Sequence, residues 1–90
     1  MDLRQMRYFV AVAEERHFGR AADRLHMAQP PLSQQIKQLE ASLGTQLLER
    51  TTRRVDLTDA GRLMLERARQ ILADVESLTK DVQEVGAGAA

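Results

Sequence analysis

Between residues 29 and 38 the chain carries a run of polar side chains that could read the edges of base pairs. They are mostly uncharged and rich in amide groups: Gln29, Pro30, Ser33, Gln34, Lys37 and Gln38. Glutamine can pair bidentately with adenine, serine can bond several base edges, and proline can touch a thymine methyl. This composition predicts a helix that reads the major groove. An ordinary solvated helix face would have the same composition, so the run alone leaves both interpretations open.

Three arginines lie around a short turn further along the chain, at Arg50, Arg53 and Arg54. Long cationic side chains at a hairpin tip can enter a narrow minor groove or pair with phosphates. Taken alone, a charged turn that keeps the hairpin soluble is the simpler explanation. Beside a recognition-type helix, a wing that reaches the neighbouring minor groove or backbone becomes the better one.

A third basic group consists of Arg20 with His17 and Arg24. Arg20 falls opposite the apolar stripe of its predicted helix, where it could meet a phosphate. We expect Arg24 to pair instead with a helix neighbour such as Asp23 or Glu40. Arg20 is therefore the member of this group that we include among the predicted DNA contacts.

Catalytic or metal chemistry finds little support in the sequence. The two histidines, His17 and His26, are nine residues apart and match no zinc motif, and the chain has no cysteine. Ser33 lacks the sequence context of a nucleophile elbow, and Glu14 with Glu15 is most simply a helix end. We expect no enzyme activity, no metal and no cofactor.

Seven apolar residues repeat with heptad spacing near the end of the chain: Met64, Ala68, Ile71, Val75, Leu78, Val82 and Val85. Such a pattern is typical of the a and d positions of a helical dimer. Met64 and Ala68 could instead pack on their own domain. The stretch from Val75 to Val85 lies too far along the helix to do so easily, so we predict a dimer interface formed by all seven.

The first three elements that position these residues are predicted to be helices. The first helix begins after Asp2, which with Gln5 resembles a capping box. The second runs over residues 17–25, and the third begins at Gln29 with two prolines in its first turn and ends before Gly44. Their predicted buried stripes are Met6, Phe9, Val10 and Ala13; Phe18, Ala21, Ala22 and Leu25; and Leu32, Ile36, Leu39 and Leu43.

Beyond Gly44 the apolar period changes. Val55-Asp56-Leu57 alternates as a half-buried strand does, and we predict a two-stranded hairpin within residues 45–57. Thr58 is a predicted N-cap, and the helix that follows over residues 59–85 would be about 40 Å long. The sequence thus predicts a mainly α winged helix-turn-helix domain at 1–57, a long dimerisation helix at 58–86 and a flexible end at 87–90.

Composition and charge are compatible with one small globular domain and one extra element. The 90 residues include 13 basic and 13 acidic side chains, so the net charge is zero. The charge is unevenly distributed, since residues 16–54 hold seven basic and three acidic side chains. This excess favours a local positive potential that would attract phosphate groups. No apolar run approaches the roughly 20 residues needed to span a bilayer. We therefore expect a cytoplasmic protein that does not enter the membrane.

The stretch from residue 3 to about residue 72 resembles the DNA-binding region of LysR-type transcriptional regulators. The matching segments are LRQMRYF at 3–9, FGRAA at 18–22, AQPPLSQQI at 28–36, LE at 39–40, LG at 43–44, LLER at 47–50 and LTDAG at 57–61. Matches in register over some 60 residues are far more specific than one short motif.

The resemblance implies a winged helix-turn-helix, with the motif at about residues 18–37, and a linker helix that pairs two chains. It implies base contacts near Gln29, Pro30, Pro31, Ser33 and position 34, with Arg53 on the wing. Some relatives carry arginine at position 34, so Gln34 is expected to lose that contact or shift it toward adenine. Family members also have a C-terminal domain that binds a small-molecule inducer and builds tetramers, and this chain resembles a DNA-binding fragment without it.

The function predicted from sequence is a dimeric, sequence-specific DNA-binding domain of a bacterial regulator that recognises an interrupted palindrome. Its predicted DNA contacts are Arg20, Gln29, Pro30, Pro31, Ser33, Gln34, Lys37, Arg50, Arg53 and Arg54. The alternative is a helical dimeriser whose polar third helix and wing meet another protein. The dependence of binding on salt separates the two, because phosphate contacts release counterions.

Overall fold

The chain forms four helices and one two-stranded antiparallel sheet, as seen in a computed structural model that describes residues 1–51 and 54–88. In chain order the elements are α1 (Leu3–Glu15), α2 (Phe18–Arg24), α3 (Gln29–Leu43), β1 (Leu48–Arg50), β2 (Val55–Leu57) and α4 (Asp59–Gly86). The predicted mainly α fold, with three helices, a short wing and a long final helix, is confirmed. Ala87 and Gly88 form a turn after α4, and the last two residues of the predicted flexible end lie outside the described residues.

Side-chain caps explain where α1 and α4 begin. Asp2 Oδ1 accepts a hydrogen bond from the Gln5 backbone N–H at 2.7 Å, and Thr58 Oγ1 accepts one from the Gly61 N–H at 3.0 Å. A capping box also requires the Gln5 side chain to reach back to the Asp2 backbone N–H, and this part of the prediction is wrong. The Gln5 side chain donates instead to Gln35 Oε1 on α3, at 3.3 Å, because α3 passes within its reach.

The core lies where α1, α2 and α3 meet. Phe9, Val12, Leu32, Ile36 and Leu39 are fully buried. The small side chains at residues 21 and 22 are also buried, so α2 approaches its neighbours closely. The residues of the hairpin that close this core are Leu47, Leu48 and Leu57.

One predicted core position is wrong, because Leu43 is 40% exposed. It is the last residue of α3, and Gly44 follows it in the left-handed conformation, with φ 62°. The apolar stripe of α3 therefore extends one residue beyond the core. Leu43 lies instead on an open apolar groove between the end of α3 and the start of α4.

A tight turn joins α2 to α3. Leu25 caps α2, His26 takes the left-handed conformation with φ 56°, and the Met27 N–H donates to the Ala22 carbonyl at 3.0 Å. This turn brings α3 across α2 with its buried stripe inward. The result is a helix-turn-helix whose second helix presents its first turns to solvent.

The wing is the β1–β2 hairpin, paired in the register Leu48↔Leu57, Glu49↔Asp56 and Arg50↔Val55. Glu40 of α3 anchors its base, since Oε2 accepts from the backbone N–H groups of Leu47 at 2.7 Å and Leu48 at 3.2 Å. A two-stranded sheet of three-residue strands is only marginally stable by itself. This carboxylate fixes the wing to the recognition helix.

Helix α4 packs on the domain at its first turns and then leaves it. An added Cβ at Gly61 would lie 2.0 Å from the Leu47 carbonyl oxygen, so only glycine allows this approach. The molecule measures 56 × 25 × 19 Å, and its radius of gyration is 15.3 Å. A compact chain of 90 residues would have about 12 Å, and the excess reflects the projecting half of α4.

Candidate nucleic-acid interface

The predicted reading residues of α3 share one solvent-facing surface, which we term the recognition face: Gln29, Pro30, Pro31, Ser33, Gln34 and Lys37. All are exposed except Ser33, which is half-buried. Within the described chain, the side chains of Gln29, Gln34 and Lys37 make no hydrogen bond or ion pair. Their donors and acceptors are turned to solvent on a helix that the buried residues Leu32 and Ile36 hold rigidly.

Arg50 and Arg54, two of the arginines predicted at the basic tip, make different contacts. The Arg50 guanidinium carbon lies 4.7 Å from the centroid of the Phe18 ring, and its Nη2 is 4.0 Å from Glu40 Oε1. Arg50 therefore lies over the start of α2, although it stands in the last strand pair before the turn of the wing. Arg54 is exposed and bonds Asp56, while Arg53 lies outside the described residues.

Two arginines from distant parts of the chain meet at Asp56, and we call this group the Asp56 cluster. Arg54 Nε donates to Asp56 Oδ2 at 2.9 Å, and Arg16 Nη1 donates to Oδ1 at 3.3 Å. The hydrogen bond from Arg54 is the main cause that lowers the pKa of the Asp56 carboxyl. Sequence analysis missed Arg16 and Asp56. The alternation of Val55-Asp56-Leu57 places Asp56 on the outer face of its strand. That pattern does not predict an ionic partner 40 residues away in the sequence.

Arg20 remains largely exposed, and its Nη2 donates to the Glu15 carbonyl oxygen at 3.0 Å. Its backbone N–H donates to His17 Nδ1 at 3.0 Å, which makes His17 the N-cap of α2. The prediction that Arg24 pairs with Asp23 or Glu40 is wrong. Arg24 pairs with Glu14 at 2.7 Å and Glu15 at 3.3 Å, because α2 packs against the end of α1.

Glu14 is the centre of a second ionic group, the Glu14 cluster, which was interpreted from sequence only as a helix end. Its Oε1 accepts from Arg24 Nη2 at 2.7 Å, and its Oε2 accepts from Arg69 Nε at 2.9 Å and Nη2 at 2.6 Å. Hydrogen bonds from Arg24 and then Arg69 lower the pKa of the Glu14 carboxyl. One carboxylate thus ties α1, α2 and α4 together.

The predicted dimer residues of α4 divide into two sets. Ala68 is only 1% exposed, so the chain's own domain covers it, whereas Met64 packs partly on the core and also lines the apolar groove. A partner contact at Ala68 therefore stays a prediction, with little side-chain surface available for it. Val75 is half-buried. The other four residues are exposed: Ile71 by 36%, Leu78 by 63%, Val82 by 61% and Val85 by 80%.

Sequence analysis missed Leu63, which is 58% exposed. At about 100° per residue, it falls within about 100° of arc with the four exposed residues of the heptad pattern. We term this set the outer face of α4: Leu63, Ile71, Leu78, Val82 and Val85. It is continuous with the apolar groove that Leu43, Thr45, Leu47, Ala60, Leu63, Met64 and Arg67 line.

None of the helices in residues 1–51 and 54–88 is long and apolar enough to cross a membrane. The same residues contain no group of three or more histidine, cysteine, aspartate or glutamate side chains placed to hold a metal ion.

A helix-turn-helix with an unpartnered polar face on its second helix, followed by a two-stranded wing, defines the winged helix-turn-helix class. Residues 3–62 match the bacterial regulatory helix-turn-helix proteins of the lysR family. The chain belongs to the lysR family, as the resemblance implied.

Relatives and solved structures agree with this assignment. The chain is 52% identical to HTH-type transcriptional regulator XapR of Escherichia coli (strain K12), over 99% of this chain and 30% of that protein. It is 58% identical to a probable cat1 operon transcriptional activator of Acinetobacter lwoffii, over 96% of this chain and 28% of that protein. The chain thus spans less than a third of these relatives' length.

The crystal structure of a BenM_DBD/benA site 1 DNA complex superposes with a TM-score of 0.94 and 46% identity, covering 98% of this chain and 99% of that one. The chain therefore has the fold of a LysR-type DNA-binding domain, and the predicted fold and family are confirmed.

Proposed function

We propose that this chain binds duplex DNA sequence-specifically, as the DNA-binding domain of a bacterial transcriptional regulator. The observation that carries the proposal is the recognition face of α3, whose amide and ammonium groups have no partner in the described chain. A rigid helix with free donors and acceptors can enter the major groove. The names of the relatives as transcriptional regulators support this function, and so does the similar domain solved with DNA.

The proposed roles follow from the chemistry of each side chain and its place in the sequence. Gln29, Pro30, Pro31, Ser33 and Gln34, at the start of α3, contact base edges and thymine methyls. The cationic side chains fix the register by contacting phosphates or the minor groove: Arg20, Lys37, Arg50, Arg53 and Arg54. Residues 1–57 form the DNA-binding unit in this proposal, and residues 58–86 form the dimerisation helix.

The outer face of α4 supports a homodimer. Three of its side chains are more than 60% exposed, at Leu78, Val82 and Val85. A second copy that covers them would remove apolar surface from water, and each Å² so buried contributes about 25 cal/mol of favourable free energy. The single domain cannot cover them, because the helix extends beyond it.

Charge favours an antiparallel arrangement of the two helices. Residues 59–72 of α4 carry three basic and two acidic side chains, whereas residues 73–86 carry one basic and four acidic. Antiparallel packing places the basic half of one helix beside the acidic half of the other. Parallel packing would instead place the two acidic halves side by side.

The apolar pattern agrees with that direction. With the two-fold axis between residues 74 and 75, Ile71 of each chain faces Leu78 of the other, and Met64 faces Val85. The end of α4 then covers the apolar groove at Leu43 and Leu63, which a simple helix pair would leave open. Two copies related in this way would present two recognition faces to an interrupted palindrome.

The wider regulator is part of the same proposal. Any inducer and any tetramer would depend on a further domain of the kind that LysR-type proteins carry, and the domain described here would contribute DNA binding and no enzymatic step. A protein that acts on bacterial DNA works in the cytoplasm.

Selection of bound sequences from random duplex DNA tests the proposal, with the 90-residue chain and with Gln29→Ala. We expect a palindromic site for the natural chain, and a loss of preference at one position per half-site for the variant. Gln83→Ala is the matched control, because this exposed glutamine lies on α4 away from its outer face. Equal enrichment of all sequences, or binding whose affinity does not fall with salt, would contradict DNA recognition.

A further inference from the structure

A polar cleft lies between the recognition helix and the wing, and none of the functions above uses it as a whole. It has a volume of about 310 Å³, and its lining residues are Arg16, His17, Phe18, Gly19, Gln29, Thr51, Arg54 and Val55. At ~30 Å³ for each water, the volume equals about ten water molecules, enough to admit a compact polar group. One wall is the junction of α1 and α2, and the opposite wall is the wing.

The charge of this cleft is set by the Asp56 cluster. Arg16 and Arg54, which line opposite walls, each give an N–H group to the same carboxylate. A guanidinium has five N–H donors, so each arginine retains several for a ligand. Two cations against one anion leave a net positive charge at the cleft. Its natural ligand is an anion with several acceptor oxygens.

His17 lies on the same wall, where its Nδ1 accepts the Arg20 backbone N–H at 3.0 Å. Arg16, the residue before it, takes the left-handed conformation with φ 53°, and the chain reverses direction there. This reversal brings the end of α1 up to the wing.

We propose that the cleft seats one phosphodiester of the DNA backbone, between the base pairs read by α3 and those reached by the wing. Arg16 and Arg54 bind its non-bridging oxygens, and Asp56 is the positioning residue that holds both guanidinium groups in place. The proposal rests on the DNA-binding function above and assigns a ligand contact to Arg16. Gln29 lines the same cleft, so this phosphate would fix the register of the helix at its first reading residue.

Asp56→Asn gives the sharpest test, because it removes a negative charge beside the DNA. If Asp56 only repelled phosphate, the variant would bind more tightly. We expect binding roughly threefold weaker, since the two arginines lose their common acceptor, and partial recovery in Asp56→Glu. Fluorescence anisotropy with a duplex taken from the selection gives the affinities, and thermal unfolding confirms that each variant folds.

Arg16→Ala is expected to weaken binding roughly tenfold. It should also reduce the slope of log K against log salt by about 0.9, as for one lost phosphate contact. Lys80→Ala removes one positive charge about 30 Å along α4 from its start, and should leave the slope unchanged. In an Arg16→Ala, Arg54→Ala background, Asp56→Asn should no longer weaken binding, because nothing remains for it to position.

A duplex with a neutral methylphosphonate at single positions locates the contact. We expect one position per half-site at which the natural chain loses affinity and Arg16→Ala does not. Normal DNA binding with no such position, or tighter binding by Asp56→Asn, would overturn this inference and leave the proposed function intact. Absence of DNA binding by the natural chain would overturn both.

Discussion

Similar apolar side chains differ in burial between two regions of the molecule. These regions are the winged domain, residues 1–57, and the second half of α4, residues 73–86. Leu39 of α3 is fully buried, whereas Leu78 of α4 is 63% exposed. Both are leucines at helical stripe positions. The difference teaches that apolar periodicity marks a face that must be covered, and that the cover can belong to the same chain or to another one.

The change between the two regions occurs near Ala68 and Arg69. Ala68 is the last residue of α4 that is almost fully buried, and the adjacent Arg69 bonds Glu14 of α1. Past this point the described residues of α4 are half-buried at most. The Glu14 cluster therefore lies where self-packing ends and, in the proposed dimer, packing against a second copy begins.

The largest expected effect comes from truncating one leucine in each region. Leu39→Ala should lower the free energy of unfolding by about 2–5 kcal/mol, through lost burial and the cavity left behind. Leu78→Ala should change the unfolding of the isolated chain little and should weaken dimerisation instead. Denaturant unfolding at low concentration and sedimentation equilibrium measure the two quantities. Equal losses of folding stability would show that the tail is covered within one chain.

A smaller effect is expected from adding one methyl group at Gly61, where α4 packs on the winged domain, and at Gly86, in the second half of α4. Gly61→Ala should cost about 1–3 kcal/mol, because its Cβ would meet the Leu47 carbonyl oxygen at 2.0 Å. Gly86→Ala should be neutral or stabilising by up to about 1 kcal/mol, because nothing lies within 4 Å of an added Cβ there. Thermal unfolding of both variants compares the sites, and a harmless Gly61→Ala would mean that α4 shifts freely on the wing.

The smallest effect concerns the boundary between the regions. Glu14→Gln should cost about 1 kcal/mol at neutral pH, since exposed ion pairs contribute little singly and more in a network. The Glu14 pKa is lowered in the folded chain. Its contribution is therefore present above the ordinary glutamate pKa and is lost as pH falls through the lower folded value.

The stability difference between the natural chain and Glu14→Gln should accordingly shrink on acidification below about pH 4. Unfolding curves at several pH values give this difference directly. A difference that stays constant with pH would exclude the ionised carboxylate as its cause.

Local rules predicted the elements well. The caps at Asp2 and Thr58, the prolines in the first turn of α3 and the stop at Gly44 all act through neighbouring residues, so the sequence alone placed the helices near their observed bounds. The polar run on α3 was predicted on the same basis. Its exposure follows once the stripe at Leu32 and Ile36 is buried.

The tertiary structure alone decided the pairings between distant segments. Glu40 anchors the wing, Arg50 lies over Phe18, Glu14 joins three helices, and Asp56 holds Arg16. These contacts depend on which helix faces come together after packing, and no periodicity carries that information. Local hydrogen bonding and apolar spacing determine the elements, whereas ionic partners and the end of the core depend on how far each element reaches once packed.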